Sequence, residues 1–312
     1  MRRRRPRSNT KHQPARSGRL TESERARLTR LREDDSTGSA APGGADRYST
    51  WDTGERGPRP YPDWLITELA AVDYDLGVLK TGKEADVHLL RRALPDGSRS
   101  CLLAAKRYRS DEHRQFHRDE GYLEGRRMRR SRETRAIEHR TSFGRNLIAE
   151  QWAVAEFAAL SRLWTIGAPV PYPVQRNGTE LLLEFLDDGA HTRAIGGTGH
   201  DAGELVAAPR LAQLRPGENG LRDLWDQAVA ALEFLAGEGL AHGDLSAYNV
   251  LVRDGRLMLI DLPQVVDVVA NPGGTGFLDR DVRTLAGWFT ARGLDIDVSE
   301  VAGHLRKLAG LR

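Results

Sequence analysis

Residues 240–262, LAHGDLSAYNVLVRDGRLMLIDL, place Asp244, Asn249 and Asp261 within one short span between apolar runs. Val250–Val252 and Leu257–Ile260 alternate about Asp254-Gly255, a pair that specifies a tight hairpin because both residues accept positive φ at low cost. The spacing predicts two carboxylates and an amide at strand ends, held rigidly and directed into one space. Each alone is an ordinary turn residue, and a plain surface hairpin would also contain Asp and Asn. What sets the stretch apart is their order, after a helix and before a buried strand.

Phosphoryl transfer needs this set. One carboxylate positions or deprotonates the acceptor hydroxyl, while an amide oxygen and a second carboxylate hold the magnesium that bridges the nucleotide phosphates. H-x-D, then Asn five residues after the Asp, then a strand ending in Asp, is the order of a kinase catalytic loop and metal site.

With 312 residues, 39% hydrophobic and 29% charged, the chain has room for one two-lobed domain, or two small ones, with a tail. No apolar run reaches membrane-spanning length, and the basic start MRRRRPR has no apolar segment behind it, so no secretory signal is read there. A cytoplasmic location is the default expectation. The single cysteine, Cys101, excludes an intrachain disulfide and a cysteine metal cluster; beside Leu102 and Leu103 it reads as a buried strand residue.

The net charge of +3 conceals an asymmetry. Residues 1–32 carry twelve Lys/Arg against two Glu, and residues 106–145 thirteen against seven acids, so the remainder is strongly acidic. Basic arms on an acidic body suit a polyanion such as RNA or a ribosomal particle. A solvated arginine-rich tail with no partner reads equally well, since charge carries no sequence readout and the first 47 residues hold no aromatic for base stacking.

Residues 1–60 lack periodicity and are rich in Arg, Ser, Gly and Pro, so a disordered basic tail is expected there. The folded part is expected from about Pro62, in a kinase-like domain spanning 61–312. Trp64, Leu65, Leu69 and Val72 fall at helical spacing behind Asp63 as a cap. A strand, a tight turn at Thr81-Gly82-Lys83-Glu84-Ala85 and a second strand through Val87 follow. Backbone N–H groups around Gly82 could close over phosphates with Lys83 adding charge, although one glycine is a weak signal and a plain hairpin looks alike. Leu102–Lys106 is an apolar strand ending in a lysine, which is either a phosphate-binding lysine or an ordinary edge lysine. Asn146–Trp164 reads as an amphipathic helix with Glu156 among Ala, Val and Phe. A Lys106–Glu156 pair would explain that acid, and a solvent-facing glutamate is the alternative. Between them, 107–145 reads as an Arg-rich insertion. A hairpin at Asn177-Gly178 leads through Glu184 and Leu186 to Asp187-Asp188-Gly189, where a hinge would offer backbone hydrogen bonds to adenine. The upper lobe then covers about 61–186 and the lower about 187–312, with helices at Leu221–Gly239, Leu278–Ala291 and Val298–Leu308.

Taken together, Thr81–Val87, the Lys106 strand, Trp152-Ala153 with Glu156-Phe157, Gly167–Pro171, His242–Asn249, Asp261-Leu262-Pro263-Gln264 and Phe277–Val282 resemble RIO-type atypical serine/threonine protein kinases. The turn motif is nearest the first RIO subfamily, whereas His242-Gly243-Asp244 and Asp261–Gln264 are more similar to the second. Lys80 stands where a serine is usual.

The resemblance implies an α+β, two-lobed kinase-like fold trimmed of the activation loop and peptide-docking subdomains. It implies ATP with magnesium, or manganese in its place, as cofactors. Asp244 is then the catalytic acid/base, and Asn249 and Asp261 are metal ligands. Lys106 falls on the phosphates, paired with Glu156; Thr81, Gly82, Lys83, Glu84, Ala85 and Val87 fall above the nucleotide, and Glu184 and Leu186 at its base. Asp261 is also the implied site of an aspartyl-phosphate intermediate. Autophosphorylation on serine and action as an ATPase switch in ribosome maturation are implied as well. Two other functions remain open on the sequence. One is a small-molecule phosphotransferase of aminoglycoside or choline type, which usually has His where Ser246 stands. The other is a nucleotide-gated RNA- or ribosome-binding factor.

Overall fold

The computed structural model describes residues 41–109, 142–188 and 206–311. The upper lobe is built on a seven-stranded sheet. Its strands are β1 (Arg47–Tyr48), β2 (Glu55–Arg56), β3 (Val72–Thr81), β4 (Ala85–Ala93), β5 (Ser100–Tyr108), β6 (Pro173–Asn177) and β7 (Glu180–Glu184). They lie antiparallel in the order β1-β3-β4-β5-β7-β6-β2. Leu90, Leu103, Ala105, Val174 and Leu182 on one face pack with Trp51, Leu65 and Ile66. Cys101 is buried in β5, as its neighbours suggested.

Helix α1 (Ser142–Thr165) lies against the sheet and joins two cores. Ala149, Ala153 and Phe157 pack under Tyr108 and Leu181. Within the next two turns, Leu160 and Leu163 enter the lower lobe's core. The lower lobe follows with α2 (Glu218–Gly237), β8 (Leu240–Ala241), β9 (Val250–Arg253), β10 (Arg256–Leu259), β11 (Val266–Asp267), α3 (Gly274–Thr290) and α4 (Val298–Leu308). Leu221, Leu224, Ala228, Ala231, Leu232 and Leu235 form the buried stripe of α2 at helical spacing. The β9–β10 hairpin closes on Asp254 (φ 48°) and Gly255 (φ 75°), two left-handed residues of the kind that match strand twist. Twelve residues, 262–273, separate Asp261 from α3, and they hold only β11 and turns.

Three expectations need correction. Residues 64–72 form no helix: Leu65 and Ile66, adjacent in sequence, are the buried pair, Leu69 is exposed, and Val72 opens β3. So short a segment gains too few backbone hydrogen bonds to nucleate a helix by itself, and the β3 pairing takes its end. The Arg-rich insertion does not start at residue 107. The strand β5 runs through Tyr108, Arg107 pairs with Glu180 and Asp75, and Arg109 pairs with Asp86. Nor does the insertion run to 145, since 142–145 already belong to the helix α1; residues 110–141 lie outside the described residues, as do 1–40 of the expected tail.

The third correction concerns residues 41–60, which are not tail. They cross from one edge of the sheet to the other: β1 pairs with β3, β2 pairs with β6, and Trp51 between them is 3% exposed. Two-residue strands carry no periodicity from which sequence could announce them. We expect a chain lacking residues 1–60 to be less stable than one lacking 1–40 by at least about 3 kcal/mol, the scale of emptying a buried tryptophan site. Urea melts of the two truncations check this, and equal midpoints would show that the strap adds nothing. Among the described residues, no helix is long and apolar enough to cross a membrane.

Candidate active site

Lys106 is the pivot of the site. It stands on β5 opposite Val87 of β4, and its ammonium donates to Glu156 Oε1 and to Asp261 Oδ1, each at 2.7 Å. Burial works against the charged ammonium, but Glu156 and Asp261 outweigh it and raise its pKa. The reverse holds at Asp261, where burial would raise the carboxyl and Lys106 instead holds it below the usual range. Both groups are therefore charged at neutral pH.

Glu156 is 1% exposed and holds three elements together. It accepts from Lys106, from the Tyr108 hydroxyl, and at 3.1 Å from the Leu262 backbone N–H. The lone acid on the apolar face of α1 thus ties the upper sheet to the segment just past Asp261. Asp261 itself has φ 66°, a left-handed conformation uncommon for a residue with a side chain.

The catalytic loop, residues 242–249, hangs between β8 and β9 and is held from beneath by α3. Asp281, 1% exposed, accepts from the N–H of Gly243 at 2.8 Å and of Leu245 at 3.1 Å, so it grips the backbone on both sides of Asp244. Burial raises the Asp281 pKa against these bonds. Arg280 donates to the Gly243 carbonyl. Gly243 has φ 84°, and a Cβ there would stand 2.2 Å from the Gln264 carbonyl oxygen, so no other residue fits the crossing. His242 is fully buried, with Nε2 3.0 Å from the Ile260 carbonyl. Asn249 donates its amide nitrogen to the Asp244 carbonyl at 2.8 Å, which commits the donor end and leaves the amide oxygen as its acceptor.

A cavity of about 880 Å³ lies between the lobes. Gly82, Lys83, Glu84, Ala85, Val87, Lys106, Glu156, Glu184, Leu186, Asp244 and Asp261, all expected from sequence, line it. Thr81 and Asn249 are not among its lining residues, and the Thr81 side chain hydrogen-bonds Asp86. The turn over the cavity is tight: the Gly82 N–H donates to the Ala85 carbonyl at 2.9 Å, and an added Cβ would lie 2.9 Å from that same oxygen. At the hinge the Glu184 carboxylate is turned to the protein, accepting from the Tyr172 N–H at 3.1 Å and from Arg253 at 3.3 Å. Its backbone, not its side chain, is what it can offer a base.

The donor set of Asp261, Asn249 and neighbouring phosphate oxygens would be all oxygen, which fits a hard cation such as magnesium. The committed Asn249 nitrogen and the left-handed Asp261 are the features of this chain that fit one. A second cavity, of about 1000 Å³, lies between α1, the catalytic loop and α3. Asp244 and Gln264 line both cavities, so one carboxylate faces each of the two spaces.

Sequence reasoning missed Asp281, Tyr108, Arg210 and Gln264 as parts of the site. Asp281 had a signal of the same kind as Glu156, an acid on the buried stripe of Leu278, Val282 and Leu285. Tyr108 and Arg210 reach Glu156 and Tyr248, partners remote in sequence that left no local trace.

The RIO domain family matches residues 102–301. The chain is 30% identical over 234 residues to the RIO-type serine/threonine-protein kinase Rio1 of Haloferax volcanii, covering 75% of this chain and 69% of that one. It is 31% identical over 227 residues to the serine/threonine-protein kinase RIO1 of Chaetomium thermophilum, covering 70% of this chain and 40% of the relative. A structure of the Rio2 kinase–ADP/Mg²⁺–phosphoaspartate complex from Chaetomium thermophilum aligns over 73% of this chain and 61% of that one, with 20% identity and a TM-score of 0.49. The small-molecule phosphotransferase reading gives way to these protein-kinase relatives. Its catalytic loop, its Lys106–Glu156 pair and its matched span make this chain a member of the RIO family of serine/threonine protein kinases.

Proposed function

We propose that the chain transfers the terminal phosphate of ATP, with magnesium, to a serine or threonine hydroxyl, its own included, as a cytoplasmic enzyme. The observation that carries this reading is the position of Asp244 on the wall shared by the two cavities. Nucleotide enters between the lobes, with its base against the backbone at Glu184–Leu186 and its phosphates beneath Gly82–Ala85. Lys106 donates to phosphate oxygens while Glu156 keeps it extended. A hydroxyl arriving from the second cavity meets the Asp244 carboxylate, which orients it for in-line attack and takes its proton as the new P–O bond forms and the bond from the γ-phosphorus to the departing ADP breaks. Asp281 fixes the loop so that this carboxylate is already aimed. Asp261 and Asn249 would hold magnesium, which would supply further neutralisation of phosphate charge.

The test is incubation of the purified chain with γ-labelled ATP and magnesium, following free phosphate and label on the protein. Label that resists hydroxylamine is expected, as a phosphoserine or phosphothreonine ester. Label that hydroxylamine removes would be an acyl phosphate and would move the accepted phosphate to a carboxylate such as Asp261. Phosphate release with no stable label would favour an ATPase switch. Neither label nor release, with ATP still bound, would leave a nucleotide-gated binding factor.

A further inference from the structure

The nucleotide cavity holds more positive charge than Lys106 provides. Lys80, near the end of β3, and Arg210, ahead of α2, line it from opposite lobes. Lys106 is neutralised by Glu156 and Asp261, whereas among the described residues Lys80 and Arg210 have no ion pair. Arg210 is firmly seated. Its backbone N–H donates to Gln213 Oε1 at 2.8 Å, it bridges to Leu251 of β9, and one guanidinium nitrogen donates to the Tyr248 carbonyl in the catalytic loop. That single contact leaves most of its five donors for something else. Lys80 is set by its pairing with Val87 across the β3–β4 ladder.

Both cations interact electrostatically with Asp261, which marks the metal and phosphate end of the cavity, and not with Glu184 at the hinge end. They also repel each other. Burial, and then the charge of Arg210, lower the Lys80 pKa, and burial lowers that of Arg210. Like charges converging on one partly desolvated space favour an anion there.

We infer that Lys80 and Arg210 form a two-sided clamp on the phosphate chain of the nucleotide, closing from the upper and lower lobes on the end that carries the terminal phosphate. This rests on the cavity being the nucleotide site. Lys80 occupies the position where the family resemblance leads one to expect serine, so the upper half of the clamp is a departure of this chain. The two cations make the site discriminate by phosphate count: triphosphate is held by both, diphosphate by fewer contacts, and the nucleoside by neither.

Calorimetric titration of the full chain with ATP, ADP and adenosine, in magnesium at two salt concentrations, tests the clamp. Lys80→Ser and Arg210→Ala are each expected to weaken ATP about tenfold, the scale of one charge-assisted hydrogen bond. ADP should weaken less, adenosine not at all, and the salt dependence of ATP binding should fall. Arg210→Lys should retain much of the affinity, because it keeps the charge. Variants with the wild-type ATP-to-ADP ratio would overturn the inference. So would an Arg210→Ala that loses adenosine as severely as ATP, since the arginine would then only be supporting Tyr248. Wild-type chain that binds no ATP would instead overturn the nucleotide reading itself.

Discussion

Asp244→Ala lowers phosphoryl transfer by roughly 10²- to 10⁴-fold, the range spanned by a positioned general base, while ATP binding and the melting temperature stay near wild type. The side chain faces both cavities, so its loss opens space in a cleft and creates no void in a core. Lys106→Ala should also abolish turnover, through a different route. It removes the one cation between Glu156, 1% exposed, and Asp261, so the two carboxylates face each other across the gap and nucleotide affinity falls as well. Asp261→Asn keeps the shape of the side chain but removes its charge, and magnesium-dependent nucleotide binding should weaken with it. Single-turnover assays with labelled ATP, paired with calorimetric binding, separate the three. Near-full turnover in Asp244→Ala would remove this residue from the acid/base role. Unchanged magnesium dependence in Asp261→Asn would remove that residue from the metal.

The parts of this site legible in the sequence are those whose cause is local. The hairpin turn at Asp254-Gly255 needs two left-handed residues and has two that accept the conformation. Glu156 was legible because an acid inside an apolar helix face needs a cation, and Lys106 was available to meet it at 2.7 Å. The same reasoning would have found Asp281, whose partners are backbone N–H groups and so leave no charge pattern to match. Convergence from different lobes was not legible. Nothing near Lys80 announces Arg210, and nothing near Thr81 announces that its hydroxyl goes to Asp86 and not to the cavity. The strap at 41–60 was hidden for another reason. Its strands are two residues long, and its anchor, Trp51, stands among Gly, Thr and Asp that read as loop.

Asp73→Ala or Arg92→Ala destabilises the chain by about 3–5 kcal/mol, the scale of breaking one side of a buried ion pair. The two residues sit directly opposite on β3 and β4, both 0% exposed. The guanidinium grips the carboxylate at two points, Nε to Oδ1 at 2.7 Å and Nη2 to Oδ2 at 3.1 Å, and Nη1 donates to Gln175 Oε1 on β6 at 3.0 Å. Gln175 in turn donates to the Thr50 hydroxyl of the strap at 2.6 Å. A single polar chain therefore runs through the upper lobe from β3 to the segment that closes the sheet. Removing Asp73 strands Arg92 in a space closed to water, and removing Arg92 leaves Asp73 only the half-exposed Arg47 at 3.5 Å. Replacing both at once, Asp73→Leu with Arg92→Met, should recover much of the loss, because no fully buried charge is then left unpaired and Arg47 keeps Glu180 at 2.6 Å. Neither residue lines the cavity between the lobes, so turnover measured well below the melting temperature should hold in all three variants. Urea denaturation of the two single variants and the double measures all three losses. A loss below about 1 kcal/mol for either single change would place the pair with exposed bridges and would mean that water reaches it.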